Sequence, residues 1–335
     1  MAVHAIIEAR SRPKGRAHPV RALLLRRLAV GIVTLFVVSI VIFLATEALP
    51  GNAAVAILGH SATPAALRAL EAQLGLNRPL FDEYGHWIGG VLSGRPGKSL
   101  ANGRPVWSSV GPALLNSAVL VALAGAIGSL IGVTLGALTA LWKDSIFDQI
   151  VSTSALALTS LPEFVVAIGL VILFASVVLH VLPAVSLVPP GTYAWDEPKQ
   201  LVLPVATLVV VVVPYIQRMT RAATIEALAS DYVEMARLKG LPTRRVLLVH
   251  ALPNALAPVV QVLGLTFLYL AGGIVVVEFV FAFPGIGAAL VSAVNSRDVP
   301  VIQMIVLILA GFYVFVNILT DVIALLATPR RRLPR

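Results

Sequence analysis

No cysteine occurs among the 335 residues, so structural disulfides, thiolate metal sites and a cysteine nucleophile are excluded at once. Charge is scarce too: 12% of positions are Asp, Glu, Lys or Arg, against about 25% in an average soluble domain. His60, His86, His180 and His250 are scattered with no i, i+4 pair, and no metal site is predicted. A hydrolytic triad would need a placed base and an orienting third group beside Ser152, Thr159 or Ser160, and neither is legible. Gly97-Lys98-Ser99 has the end of a phosphate-binding loop, but Leu92 stands where that loop requires glycine.

Hydrophobic residues fill 58% of the chain instead. They gather in runs free of Asp, Glu, Lys and Arg: Leu28 to Thr46, Val106 to Trp142, Ala251 to Val277 and Val299 to Thr320. Each is long enough for the roughly 17–25 apolar residues that cross a bilayer. Backbone polar groups find no water there, so the runs must be helices. An all-α, polytopic membrane bundle of six spans is predicted, near 28–47, 113–141, 151–179, 201–222, 255–277 and 301–326. Glu163 interrupts the third, and Pro204 and Pro214 the fourth. The first run lacks a small-x-small exit and reads as a permanent span rather than a cleaved signal.

The net charge of +9 maps onto one side of this bundle. Eighteen Lys and Arg fall in the 1–27 leader, the 142–150 turn, the 218–254 segment and the 328–335 tail, against seven in the alternate segments. The positive-inside rule then puts both termini in the cytoplasm. It also makes the basic ends topological anchors, with no nucleic acid as partner. The domain division is a basic leader over 1–27, a membrane domain over 28–327 and a basic tail over 328–335. Within the membrane domain, 48–112 is expected outside and 223–254 in the cytoplasm. Amphipathic stretches at Pro64 to Leu76 and Phe81 to Leu92 give the outer segment the look of a small subdomain, with Leu70, Leu74 and Trp87 inward.

The 223–254 segment is the most informative. From Ala222 to Lys239 no Pro or Gly intervenes, and Ile225, Leu228, Tyr232, Met235 and Ala236 recur at helical steps, which predicts one amphipathic helix. Gly240 stands where a left-handed cap ends a helix, and Pro242 where a new one starts. A second helix is expected through Thr243 to Leu252, until Pro253. An interfacial helix resting on headgroups would share the periodicity but does not require this turn.

These residues resemble the cytoplasmic signature of the permease subunits of binding-protein-dependent ABC importers, which reads E-A-A, three residues, G, nine residues, I-x-L-P. Glu234-Met235-Ala236, Gly240 and then His250, Ala251, Leu252 and Pro253 keep its spacing, with Met235 and His250 departing from it. The wider wording, Asp231-Tyr232 and Ala236-Arg237-Leu238-Lys239-Gly240, is similar to the dipeptide and oligopeptide branch. So are Leu49-Pro50-Gly51, Leu74-Gly75-Leu76, Val276-Val277-Glu278 and Arg297-Asp298. Asn52, Arg95-Pro96 and Thr328 depart from the branch.

The resemblance implies a type I importer permease fold in a bacterial cytoplasmic membrane, a transport subunit rather than an enzyme. It implies coupling to an ATPase through Asp231, Tyr232, Glu234, Met235, Ala236, Arg237, Lys239, Gly240, His250, Leu252 and Pro253. No cofactor is expected on this chain, since ATP and magnesium would belong to two partner ATPase subunits. The other implied partners are a homologous second permease, an extracytoplasmic solute-binding protein and membrane lipid. Peptides lead as solute, ahead of nickel complexes and oligosaccharides.

Two groups have double readings. Gly128, Gly132 and Gly136 lay a smooth stripe on the second span, for close packing or for a hinge. Glu163, Glu278 and Asp321 are intramembrane acids, on the translocation path or in structural hydrogen bonds. Glu278 and Asp321 fall near span ends, where water is expected within reach. Such acids keep an ion-coupled carrier or channel working without an ATPase as the alternative.

Overall fold

The computed structural model describes residues 19–48, 63–74, 79–189, 191–242 and 245–327. Among them there is no β-strand; Lys98 and Pro105 form an isolated bridge. The helices in chain order are α1 (Pro19–Glu47), α2 (Pro64–Leu74), α3 (Leu80–Leu92), α4 (Val106–Leu141), α5 (Ile146–Thr159) and α6 (Glu163–Val171), extended by a π-helical turn to Ser176. Then follow α7 (Pro198–Leu228), α8 (Asp231–Leu238), α9 (Leu252–Val280), α10 (Ile286–Asn295) and α11 (Val299–Ala327). Among the described residues five helices are long and apolar enough to cross a membrane, and the bent pair α5–α6 makes a sixth if counted as one span.

Packing centres on α7. The most extensive helix interface joins it to α4, and α9, α5 and α6 pack on it too. Next outward, α11 lies on α9, and α1 lies on α11 at the rim. That order shows in exposure: α1 leaves Leu28, Ile32, Val33, Phe36 and Val41 uncovered, a surface suited to lipid tails, whereas α7 buries Leu208, Val212, Ile216 and Thr220. Glycine explains how α4 and α7 come so close. A Cβ on Gly128 would lie 2.7 Å from Val212, one on Gly132 2.6 Å from Ile216, and one on Gly136 2.6 Å from Thr220. The stripe every fourth residue on α4 thus receives a ridge every fourth residue on α7. The packing reading of these glycines therefore has a physical basis in the close approach they permit.

Several boundaries differ from expectation. The leader was placed at 1–27, but α1 begins at Pro19, because Val20 and Ala22 to Leu25 continue the helix past the charges. The 48–112 segment ends sooner: α4 starts at Val106 with Pro105 before it, and Pro112 is tolerated inside the helix. At 36 residues α4 is about 54 Å long and extends beyond a hydrocarbon core of ~30 Å. The third span is not one helix; α5 and α6 meet at 106°. Between the last two spans stands the short apolar helix α10.

Of the outer stretches, α3 buries no residue in a core of its own. It leans on α1 instead: Tyr84 and Trp87 pack on Phe43 with ring centroids 5.3 and 6.1 Å away, and the Ser39 and Tyr84 hydroxyls lie 2.8 Å apart. The side chains of Leu70 and Leu74 lie outside the described residues, as do Leu49 to Gly51, Asn52, Gly75, Leu76 and Thr328.

Candidate functional site

The 223–254 segment is built differently from the single amphipathic helix predicted. The α7 helix runs on to Leu228 and breaks at Ala229-Ser230, where Ser230 turns extended (φ −80°, ψ 149°) and α8 restarts at Asp231. The Val233 and Glu234 amides donate to the Ser230 carbonyl at 2.9 and 3.1 Å. Ser230-Asp231, a capping type followed by an acid in the first turn, was the signal for this break. The break shifts the helical phase, so Val233 and Ala236 turn inward, while Met235, expected on the apolar stripe, is exposed.

At its other end α8 closes in a Schellman motif. The Gly240 amide donates to Arg237 at 2.9 Å and the Leu241 amide to Ala236 at 3.3 Å, with Gly240 left-handed at φ +75°. After Pro242 the chain forms a π-helical turn over Val246–Ala251 that passes directly into α9, with Pro253 in its first turn. Pro253 therefore does not end the second helix: it stands where the wider π turn passes into α9, and its fixed φ is helical.

Val233, Ala236, Val246, Ala251 and Ala255 bury together against Ala223 and Ala227 of α7, with Tyr232, Leu141 and Leu241 packed around them. Asp231, Glu234, Met235, Arg237, Leu238 and Lys239 remain exposed. The π turn also leaves Val249 uncovered, whereas Leu252 is half-buried. The side chain of His250 lies outside the described residues. A short helix is thus fixed from beneath to two long helices, and its outer face carries two apolar side chains among charges.

Next to this segment is an ion pair that the sequence reading missed. Arg221 of α7 donates through Nε to Asp148 Oδ1 at 2.6 Å and through a terminal nitrogen to Oδ2 at 2.7 Å. Asp148 is almost fully buried in the first turn of α5 and also accepts from the Asp144 amide at 3.0 Å and the Ser152 hydroxyl at 3.1 Å. Ser145 caps that turn by accepting from the Asp148 amide at 3.2 Å. The spacing Ser145-x-x-Asp148 was the available signal. The fork ties the start of the bent span to the helix that leads into α8.

The bend itself makes a cavity. Leu161 precedes Pro162, which disfavours continued α-helix, and the chain restarts at Glu163 with Pro162 extended (φ −61°, ψ 147°). About 560 Å³ opens beside it, lined by Thr159, Glu163, Tyr215, Tyr269, Gly272 and Gly273 among others. Tyr215 and Tyr269 lie 5.9 Å apart at 43°, each a little over two-fifths exposed. Glu163 is half-buried, and Gly273 makes its room: a Cβ there would come 2.7 Å from both carboxylate oxygens.

The other acids have protein partners. Glu278 is wholly buried, not near water as expected, because α10 and the 284–286 turn fold over it. It accepts from the Ser117 hydroxyl of α4 at 2.5 Å and from the Gly287 and Ala288 amides at 2.7 and 3.1 Å, capping α10. Ser117 in turn accepts from the Ile286 amide at 2.7 Å. Asn116 beside it donates to the Pro284 carbonyl and accepts from the Ala194 amide, both at 3.0 Å. Asp321 pairs with Arg27 of α1 at 2.7 Å at the rim. Asp298, absent from the predicted set, accepts from the Ser99 hydroxyl and from the Leu100 amide at 3.0 Å.

Residues 132–333 match the family described as binding-protein-dependent transport system inner membrane component, and residues 20–121 match the N-terminal family of such membrane components. The chain belongs to this family: it is the permease subunit of a binding-protein-dependent ABC importer, and not an enzyme. It is 37% identical over 311 residues to a protein of Brucella abortus (strain 2308) provisionally named a peptide transport system permease, covering 93% of this chain and 99% of that one. It is 34% identical over 308 residues to the glutathione transport system permease protein of Escherichia coli O6:H1 (strain CFT073), covering 92% and 98%.

Proposed function

We propose that this permease forms half of a path for peptides or closely related small solutes across a bacterial cytoplasmic membrane. In this reading it has six spans, with α5–α6 as one bent crossing, and both termini cytoplasmic. A second permease supplies the other half, a solute-binding protein delivers from outside, and two ATPase subunits carry ATP and magnesium. The peptide assignment is supported by the Asp231 to Gly240 wording and by the names of the relatives.

One observation carries the coupling role: α8 is fixed beneath by Val233 and Ala236 while Glu234, Met235 and Leu238 face outward. A load applied to that face passes through Ser230 into α7 and through the Gly240 turn into α9. The ion-coupled alternative has no use for such a face. Gly240→Val tests this. Nothing lies within 4 Å of where a Cβ would point, so its effect comes from the positive φ, which disfavours a β-branched residue by at least about 1–2 kcal/mol. Insertion should stay normal while uptake and ATPase co-purification fall together, and Glu234→Lys should show a milder loss. Wild-type uptake by Gly240→Val would refute the role.

A further inference from the structure

The acid at the bend stands apart from the others. Asp148, Glu278 and Asp298 are buried and Asp321 is partly covered, and each is held by an arginine, by hydroxyls or by backbone amides. Around Glu163, among the described residues lining the cavity, there is no Lys, Arg or His. Tyr269 is its polar neighbour.

Its depth makes that costly. Thr159 and Glu163 flank the break midway through the α5–α6 pair, Val211 and Tyr215 sit midway along α7, and Tyr269 sits midway along the apolar stretch Pro258–Val280 of α9. Three crossings independently put the cavity near the centre of the bilayer, where a carboxylate is costly unless water or a ligand reaches it. The volume lies in the ~300–1,000 Å³ range of small-ligand sites. The cavity is therefore large enough for part of a solute.

We infer that this cavity is a cation-selective station on the translocation path, in which Glu163 takes the ammonium group of a passing solute beside the Tyr215 and Tyr269 rings. The inference rests on the importer reading above and names the chemistry that it admits. A carboxylate offers an ammonium charge-assisted hydrogen bonds, and exposed tyrosine faces attract the same cation. In a peptide the free amino terminus is that group. A leading carboxylate would be repelled by Glu163, so the site favours amine-bearing over acylated or anionic solutes. Gly272 and Gly273 keep the α9 wall low beside the carboxylate, so that the solute need not displace a side chain.

The absence of native cysteine allows a direct test in the intact complex held in nanodiscs without solute. Thr159→Cys places one thiol of this chain in the cavity wall, to be modified by an ammonium-bearing or a sulfonate-bearing methanethiosulfonate and read by the mass of this subunit. Adding Glu163→Gln should lower the ammonium-to-sulfonate rate ratio on the order of tenfold, and Glu163→Asp should largely keep it. A ratio unchanged within about twofold, or a thiol that neither reagent reaches, would overturn the site. A second arm compares uptake of one peptide with a free or an N-acetylated amino terminus, normalised to the binding protein's affinity for each. Glu163→Gln should reduce uptake of the free-amine form several-fold and spare the acetylated one. Equal loss of both would show a merely structural acid and overturn the inference. A wild-type complex that imports neither peptide would refute the peptide reading, with the labelling ratio still deciding whether the cavity selects cations.

Discussion

Replacing Glu278 by alanine should be among the most damaging single changes in the bundle, although this residue touches neither the α8 face nor the cavity at the bend. Its carboxylate satisfies three donors in a site closed to solvent: the Ser117 hydroxyl and the Gly287 and Ala288 amides. Each donor left buried and unpaired costs about 1–3 kcal/mol, partly recovered where the hydroxyl rotates to another acceptor. The N-terminus of α10 also loses its negative charge, a further ~0.3–2 kcal/mol. A net loss of about 3–5 kcal/mol follows, the range for breaking one side of a buried charged set. Domains somewhat smaller than this one shift by roughly 2–4 °C per kcal/mol, so melting should fall by on the order of 10 °C.

Four tryptophans allow the transition to be followed by intrinsic fluorescence of the purified protein, at one scan rate because unfolding from detergent is rarely reversible. Glu278→Gln should fall between wild type and alanine: it keeps an acceptor for one amide but turns an NH2 toward another donor. Ser117→Ala should cost about 2–4 kcal/mol, since it leaves the Ile286 amide without its acceptor and Glu278 Oε1 without its hydroxyl donor. Glu278→Ala melting within about 2 °C of wild type would show that α10 does not depend on this cap and would refute the reasoning.

Gly136→Leu should separate α4 from α7, because its Cβ would fall 2.7 Å from the Gln217 carbonyl and backbone cannot step aside; a loss of at least ~1–3 kcal/mol should appear in the same melt, against little change for Gly89→Leu, which meets nothing within 4 Å. Arg221→Ala should leave Asp148 buried without its counter-charge at a cost of about 3–5 kcal/mol, whereas Asp148→Asn with Arg221→Ala should recover part of it, and a double-mutant cycle with no coupling energy would discount the fork. For sidedness, Cys at Ala101 should be labelled from outside intact cells and Cys at Met235 only after permeabilisation, since both sites are exposed; labelling of both from one side would overturn the proposed orientation.

Features that depend on local composition were legible in the chain alone. Charge-free runs of bilayer length have one way to satisfy their backbone, so Leu28 to Thr46, Val299 to Thr320 and the rest had to be helical whatever their neighbours. Gly240 was legible as a left-handed cap because conformational freedom at one residue is a local property, and its φ is +75°. The glycine stripe of α4 was legible as a smooth face for the same reason. What lay against that face was not: only the assembled bundle brings Val212, Ile216 and Thr220 onto it. Likewise Glu163, Glu278 and Asp321 differed in sequence only by depth, Glu163 within a span and the other two near span ends, and nothing local named their partners. Tertiary structure separated them, giving one to a helix cap, one to an arginine of α1 and one to a cavity at a proline break. The Asp148–Arg221 fork joins residues 73 positions apart, and no local pattern connects them. Partners in a folded bundle are set by packing between segments distant in the chain, so side-chain pairing was decided only there.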